Sequence, residues 1–339
     1  VKAIVYDRPE HFTYADLPDP EPGPGEVRLR VRASGVCGTD VHLHHGEFSP
    51  RYPFTPGHEV VGEVDLLGDE VAGLRRGQLV ALDNRVFCGT CANCGRGKPA
   101  FCTNLRDLGV TDPGGAADYV LAPAGKCHPV DDLPLETALL AEPVSCVMHG
   151  LDVLDLKPGS DVLVFGAGTT GLILTQLLRQ HGAARLTVAA PTKFKLDLAA
   201  GFGADETVVI DRSTMDESAG ALRAIAPDGF DVVIDATGAP SVVAQCLPLV
   251  RDGGTVLFYG MTPEKAELSI RPYEVFRREL TIKGSFAQAY SFDRALLALR
   301  TGRVRAEGIV THRFAPADYA RTLDSVANDR TCIKAFLQP

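Results

Sequence analysis

The run Gly35-Val36-Cys37-Gly38-Thr39-Asp40-Val41-His42, followed by Gly57-His58-Glu59, offers a thiol, an imidazole and a carboxylate within a short reach of chain. These are ligand types that Zn²⁺ prefers. Thr39 adds a hydroxyl and His42 a second imidazole, a pair able to carry a proton away from a substrate oxygen. A lone histidine in a β-rich region is more often structural, and it is the place of His42 shortly after Cys37 that marks it.

Cys88, Cys91, Cys94 and Cys102 form a second cluster, spaced C-x₂-C-x₂-C-x₇-C inside residues 85–105. Such spacing lets one loop wrap a tetrahedral ion, and Gly89, Gly95 and Gly97 free the turns it needs. Four thiolates close the shell, so a structural zinc is expected there; ferredoxin runs are spaced differently. The remaining cysteines are scattered, a pattern for metal binding rather than a disulfide framework.

A third stretch, Val162-Leu163-Val164-Phe165, leads into Gly166-Ala167-Gly168-Thr169-Thr170-Gly171 and then an apolar helix from Leu172. A G-x-G-x-x-G between strand and helix lets the backbone approach a pyrophosphate seated on the helix N-terminus. The acidic partner of the adenosine ribose is expected about 20 residues further on. Ala190 stands in its place, with Thr192, Lys193 and Lys195 beside it. A carboxylate would repel a 2′-phosphate, so its absence favours NADP, with NAD as a possible alternate.

These groups need elements to hold them. At 339 residues the chain is long enough for two domains. Its net charge of -9, with no compensating Lys/Arg stripe, argues against a nucleic-acid partner; Arg75-Arg76 and Arg277-Arg278 read as surface. The most apolar window, 162–178, is interrupted by glycines and threonines and does not read as a membrane span. The N-terminus becomes charged before a signal-peptide core forms, so a cytoplasmic location is the default. Residues 1–6, 27–33, 60–64 and 78–81 have strand character, separated by a Pro/Gly connection at 18–25. From residue 146 the pattern changes. A helix at 146–156 is followed by alternating segments at 161–165, 172–180, 186–189, 193–202, 207–210, 231–235, 242–249 and 255–259, the signature of a parallel sheet wrapped by helices. The tail, with a strand from Leu280, a helix at 292–301 and a strand at 332–337, is assigned to the first domain. The expected division is 1–145 with 279–339, and 146–278.

Taken in order, these motifs resemble the zinc-dependent medium-chain dehydrogenases, over essentially the whole chain. Leu140-Ala141-Glu142-Pro143 resembles the polyol (sorbitol- and arabinitol-type) and threonine dehydrogenase branch, where the ethanol-oxidising branch carries a cysteine. The resemblance implies an α/β architecture: a GroES-like β-rich catalytic domain and a Rossmann doubly wound domain. It also implies one catalytic and one structural zinc per subunit, with Cys37 and His58 as ligands of the former and Glu59 or Glu142 as the third. Asp40 would fix the tautomer of His58, and Lys334 would help hold the pyrophosphate. Thr237, Tyr259, Ser285 and Phe286 would line the nicotinamide pocket. The implied reaction is hydride transfer between a secondary alcohol or polyol and NAD(P), in a homodimer or homotetramer.

One departure concerns the substrate. Sorbitol-type members carry an arginine shortly after the loop at Ser285-Phe286, where this chain has Ala287-Gln288. A different polyol, a cyclitol, an amino alcohol or a smaller secondary alcohol then competes as substrate. A zinc-free enone or quinone reductase is opposed by Cys37, His58 and Glu59 together. A non-catalytic NADP(H) sensor is opposed by Thr39 and His42, since binding alone needs no proton relay.

Overall fold

The computed structural model describes residues 1–48 and 50–339. The chain divides into two units, Val1–Ser145 with Gln288–Pro339, and Cys146–Ala287.

In the first unit a seven-stranded sheet runs in the order Val310–Phe314, Lys334–Leu337, Glu26–Val36, Glu59–Leu67, Leu79–Leu82 and Cys127–Pro129, with Tyr119–Pro123 also paired to Glu26–Val36. The long strand shows why it forms. Val27, Leu29, Val31 and Ala33 are buried, while Arg28 and Arg32 turn outward to Asp65 and Glu63 on the next strand. Each fully buried aliphatic side chain contributes about 1.5–3 kcal/mol relative to exposure. Apolar clusters form around Val27, Leu29, Val60 and Val80, and around Ile4, Tyr6, Leu43 and Tyr319.

Strand register gathers residues that are far apart in the chain. Gly35 lies opposite Glu59, and Ala335 opposite Val36, so three strand ends bring Cys37, Glu59 and Lys334 to one end of the sheet.

The second unit carries a six-stranded parallel sheet in the order Glu206–Val209, Arg185–Ala190, Asp161–Phe165, Phe230–Asp235, Val250–Phe258 and Thr281–Gly284. The chain reverses its direction of winding between Asp161–Phe165 and Phe230–Asp235, the switch point where open α/β sheets bind ligands.

Three sequence expectations are corrected. Residues 279–287 belong to this second unit, not the first, because Thr281–Gly284 pairs in parallel with Val250–Phe258. As an edge strand it is half exposed and lacks the continuous apolar run of an interior parallel strand. The helix expected at 146–156 is Ala141–Leu154: Pro143 lies in the first turn, where its missing N–H costs nothing. The helix expected from Leu172 begins at Thr169, directly after the glycine turn. The helices Met215–Ile225, Pro272–Arg277 and Tyr319–Asn328 were not anticipated.

Candidate metal and dinucleotide sites

Cys37 is the N-cap of the short helix Gly38–His44, and its Sγ accepts the backbone N–H of Thr39 at 3.3 Å. Asp40 closes the capping box, its Oδ2 accepting the Cys37 N–H at 2.9 Å. Gly57, which leads into His58, has φ +100, and a Cβ there would lie 2.5 Å from the backbone N of Ala116 and 2.6 Å from Ser34 Oγ. Only glycine fits the turn that delivers His58.

The structure brings Cys37, His58 and Glu59 together, with one donor atom of each within 4.8 Å of the others. His58 Nε2 is 3.3 Å from Cys37 Sγ, while Nδ1 faces Asp40 Oδ1 at 3.7 Å. That separation is an electrostatic contact, longer than the hydrogen bond expected from Asp40. Burial disfavours a charged imidazole, yet the negative groups Cys37, Asp40 and Glu142 outweigh it and raise the His58 pKa well above its usual value. A buried pocket whose field holds a proton this strongly is suited to a cation. The thiol, imidazole and carboxylate set fits zinc with an open fourth position.

Glu142, in the first turn of Ala141–Leu154, is buried and acts on His58 through its charge, but it stands outside the 4.8 Å cluster. Glu59 and Lys334 form a buried pair, each 2 % exposed, with Lys334 Nζ donating to Oε1 at 2.7 Å and Oε2 at 2.8 Å. The sequence gives no hint of this partner for Lys334: a buried ammonium needs a counter-charge, and register supplies Glu59. Burial pulls the Lys334 pKa down, but the charges of Glu59 and Cys37 reverse this and raise it. Gly35 makes the pairing possible. A Cβ there would lie 1.9 Å from Glu59 Oε2, so the missing side chain is the channel through which the carboxylate crosses the strand.

Thr39 and His42 lie three positions apart on the helix Gly38–His44, hence on one face, and both are partly exposed. His42 Nδ1 is 3.0 Å from Glu47 Oε2, a partner that sequence reasoning missed. His44 and His45 end this helix and bond Tyr6 Oη and Glu10 Oε1, each at 2.9 Å.

The four sulfurs of Cys88, Cys91, Cys94 and Cys102 also lie within 4.8 Å of one another. Backbone N–H groups, first that of Cys94, hold the Cys91 thiol down at about 5. Gly89 and Gly97, both at φ +71, make the tight reversals.

In the second unit the three glycines of the nucleotide turn act for three reasons. Gly166 takes φ +111 and abuts Ala236 O and Thr237 Cγ2; a Cβ at Gly171 would lie 2.0 Å from Gly166 O; Gly168 has open space before it, free for a ligand. Thr169 and Thr170 open the helix. Thr237 Oγ1 donates to the buried Asp235 at 2.6 Å and accepts from Ala239 N at 3.0 Å, so its hydroxyl is engaged in the turn itself. Tyr259 packs over Gly150, Ser285 Oγ is buried without a hydrogen bond, and Phe286 is 46 % exposed. At the end of the second strand Ala190 is buried, Thr192 begins the next helix, and Lys193 forms an exposed pair with Asp197.

The chain matches the family model for the alcohol dehydrogenase GroES-like domain over residues 23–132 and that for zinc-binding dehydrogenases over residues 169–300. It is 41% identical over 338 residues to D-arabinitol dehydrogenase 1 of Uromyces fabae, covering 99% of this chain and 97% of that protein. It is 36% identical over 306 residues to D-altritol 5-dehydrogenase of Agrobacterium fabrum strain C58, covering 88% of each. A zinc-binding dehydrogenase from Sinorhizobium meliloti 1021, solved bound to NADP, superposes with a TM-score of 0.90 at 32% identity, over 100% of this chain and 99% of that one. With a GroES-like unit carrying the Cys37 cluster and a Rossmann unit carrying the glycine turn, this chain belongs to the zinc-dependent medium-chain dehydrogenase family.

Proposed function

We propose that this protein transfers hydride between a secondary alcohol, a polyol foremost, and NADP, giving the ketone, with NAD as an alternate acceptor. The observation that carries the reading is the Cys37–His58–Glu59 cluster with Thr39 and His42 on one face of the adjoining helix. When bound, zinc polarises the substrate hydroxyl and lowers its pKa, and the nicotinamide accepts the hydride. Cys37, His58 and Glu59 would hold the metal, with Glu142 as the alternative third carboxylate. Asp40 orients His58 from behind. Thr39 takes the substrate proton and His42 passes it to water. Gly166, Gly168, Thr169, Thr170 and Gly171 hold the pyrophosphate, Thr192 and Lys193 the 2′-phosphate beside Ala190, and Thr237, Tyr259, Ser285 and Phe286 line the nicotinamide site. The exposed Lys193–Asp197 pair is weak enough to yield to a phosphate.

Cys88, Cys91, Cys94 and Cys102 hold a structural zinc. Among the described residues no helix is long and apolar enough to cross a membrane. We place the enzyme in the cytoplasm as a homodimer or homotetramer acting on a small molecule.

One observation keeps a cyclitol or amino alcohol as a second reading. Gln288 cannot stand in for the missing arginine, because it is 0% exposed and its Nε2 is committed to Asp83 Oδ1. A screen of secondary alcohols, polyols, cyclitols and amino alcohols with both cofactors, before and after chelation, decides the substrate. Turnover that survives complete zinc removal would overturn the reading.

A further inference from the structure

The outlet of the proton relay contains a group that neither the motif nor the family comparison singles out. After the helix Gly38–His44 the chain doubles back, and the Glu47 N–H donates to His42 O at 3.0 Å. This backbone bond sets the Glu47 carboxylate against His42, with Oε2 3.0 Å from Nδ1 and both side chains 22% exposed. A carboxylate can only accept, so Nδ1 carries the hydrogen and Nε2 is the nitrogen left with a lone pair.

The other charged groups around this helix are engaged elsewhere. Asp40 turns inward to the Cys37 N–H, His44 bonds Tyr6, and Glu10, from the turn before His11, takes His45. Tyr319–Asn328, the helix packed across it, presents uncharged Tyr319 and Leu323 to the shared core; its Arg321 lies over Phe314 and its Asp324 accepts from Asn328. His45 and Glu10 are also a pair, but at 54% and 66% exposure they sit in water. Among the described residues, only the His42–Glu47 pair combines partial shelter with a place on the Thr39 face.

We propose that Glu47 is the positioning residue of the proton outlet. It holds His42 as the Nδ1–H tautomer with Nε2 free to accept, and it provides the counter-charge when the ring becomes imidazolium. The inference rests on the relay assigned to Thr39 and His42 above. In alcohol oxidation the substrate hydroxyl proton leaves by way of Thr39 and reaches Nε2 of His42, while the hydride leaves for the nicotinamide. The imidazolium then releases the Nε2 proton to water and returns to the Nδ1–H form. Glu47 accepts a hydrogen bond throughout and is itself not consumed.

The test compares Glu47→Gln, Glu47→Asp and His42→Gln in the zinc-loaded enzyme, by single-turnover rates of alcohol oxidation across pH. Glu47→Gln preserves size and an acceptor oxygen but removes the charge. Its rate on the plateau is expected to fall about 3- to 10-fold. KM for alcohol and cofactor and the urea midpoint should not change, and Glu47→Asp should recover most of the rate. His42→Gln should lose about 100-fold. If His42→Gln is impaired while the Glu47→Gln rate is unchanged, or only its KM and urea midpoint change, Glu47 is structural and the inference fails alone. If His42→Gln is unimpaired, the relay reading fails, and this inference with it.

Discussion

The four-cysteine lobe draws its sulfurs from one stretch, residues 88–102, whereas the Cys37 cluster is gathered from a helix cap, the start of a neighbouring strand and, behind it, Lys334 near the end of the chain. The lobe is closed by its own loop, with glycine turns and amide-to-sulfur bonds supplied from within. The Cys37 cluster has no such independence. Its carboxylate is gripped by a lysine two strands away through the gap left by Gly35. A local site can be altered with local consequences, while a site assembled by sheet register carries stability and chemistry in the same residues.

Substituting Cys37→Ser should break the pocket alone. Alcohol oxidation is expected to fall by about 1,000-fold or more, with one zinc lost per subunit and the lobe zinc retained by metal analysis. Loss of both zincs would show that the sites are not separate. Next in size is Lys334→Met in the zinc-free protein, which leaves Glu59 buried and unpaired. It should cost about 3–5 kcal/mol in urea unfolding, and adding Glu59→Gln should return most of that loss. A double variant no more stable than the single one would mean that the pair is not what joins site to sheet.

For the lobe, Cys94→Ser should remove one zinc per subunit and cost about 2 kcal/mol, with activity per remaining zinc changed only a few-fold. Collapse of activity would erase the distinction between the two sites. The smallest effect is expected outside both: Lys193→Ala should raise KM for NADP about 5-fold, roughly 1 kcal/mol, and leave NAD kinetics as they were. An equal change with both cofactors would remove Lys193 from the 2′-phosphate.

Most interior strands of the parallel sheet were legible because buried β-structure is written as apolar runs between turn residues. Asp161–Phe165 agrees to the residue, and Arg185–Ala190 and Phe230–Asp235 to within one. The edge strand Thr281–Gly284 was assigned to the wrong unit because half-exposed strands carry no such run. Met215–Ile225 was missed because a short helix whose buried face is only Met215, Ser218, Ala219 and Leu222 is weakly marked. The partner of Lys334 was hidden for a different reason. Its neighbours in sequence say nothing of Glu59, and only register shows that the ammonium is spent on that carboxylate.

Residue type and spacing by themselves determined the donor chemistry: sulfurs at loop spacing, a glycine turn between strand and helix, and a thiol, an imidazole and a hydroxyl near one another in the chain. That information is local, since it depends on what neighbouring residues can reach. Tertiary structure decided that Glu59 rather than Glu142 joins the 4.8 Å cluster, that Lys334 backs it, and that Glu47 meets His42. Those outcomes depend on which strand ends share an end of the sheet and where a chain reversal returns. Long-range pairing is set by the packing of the whole sheet, and no window of sequence contains it.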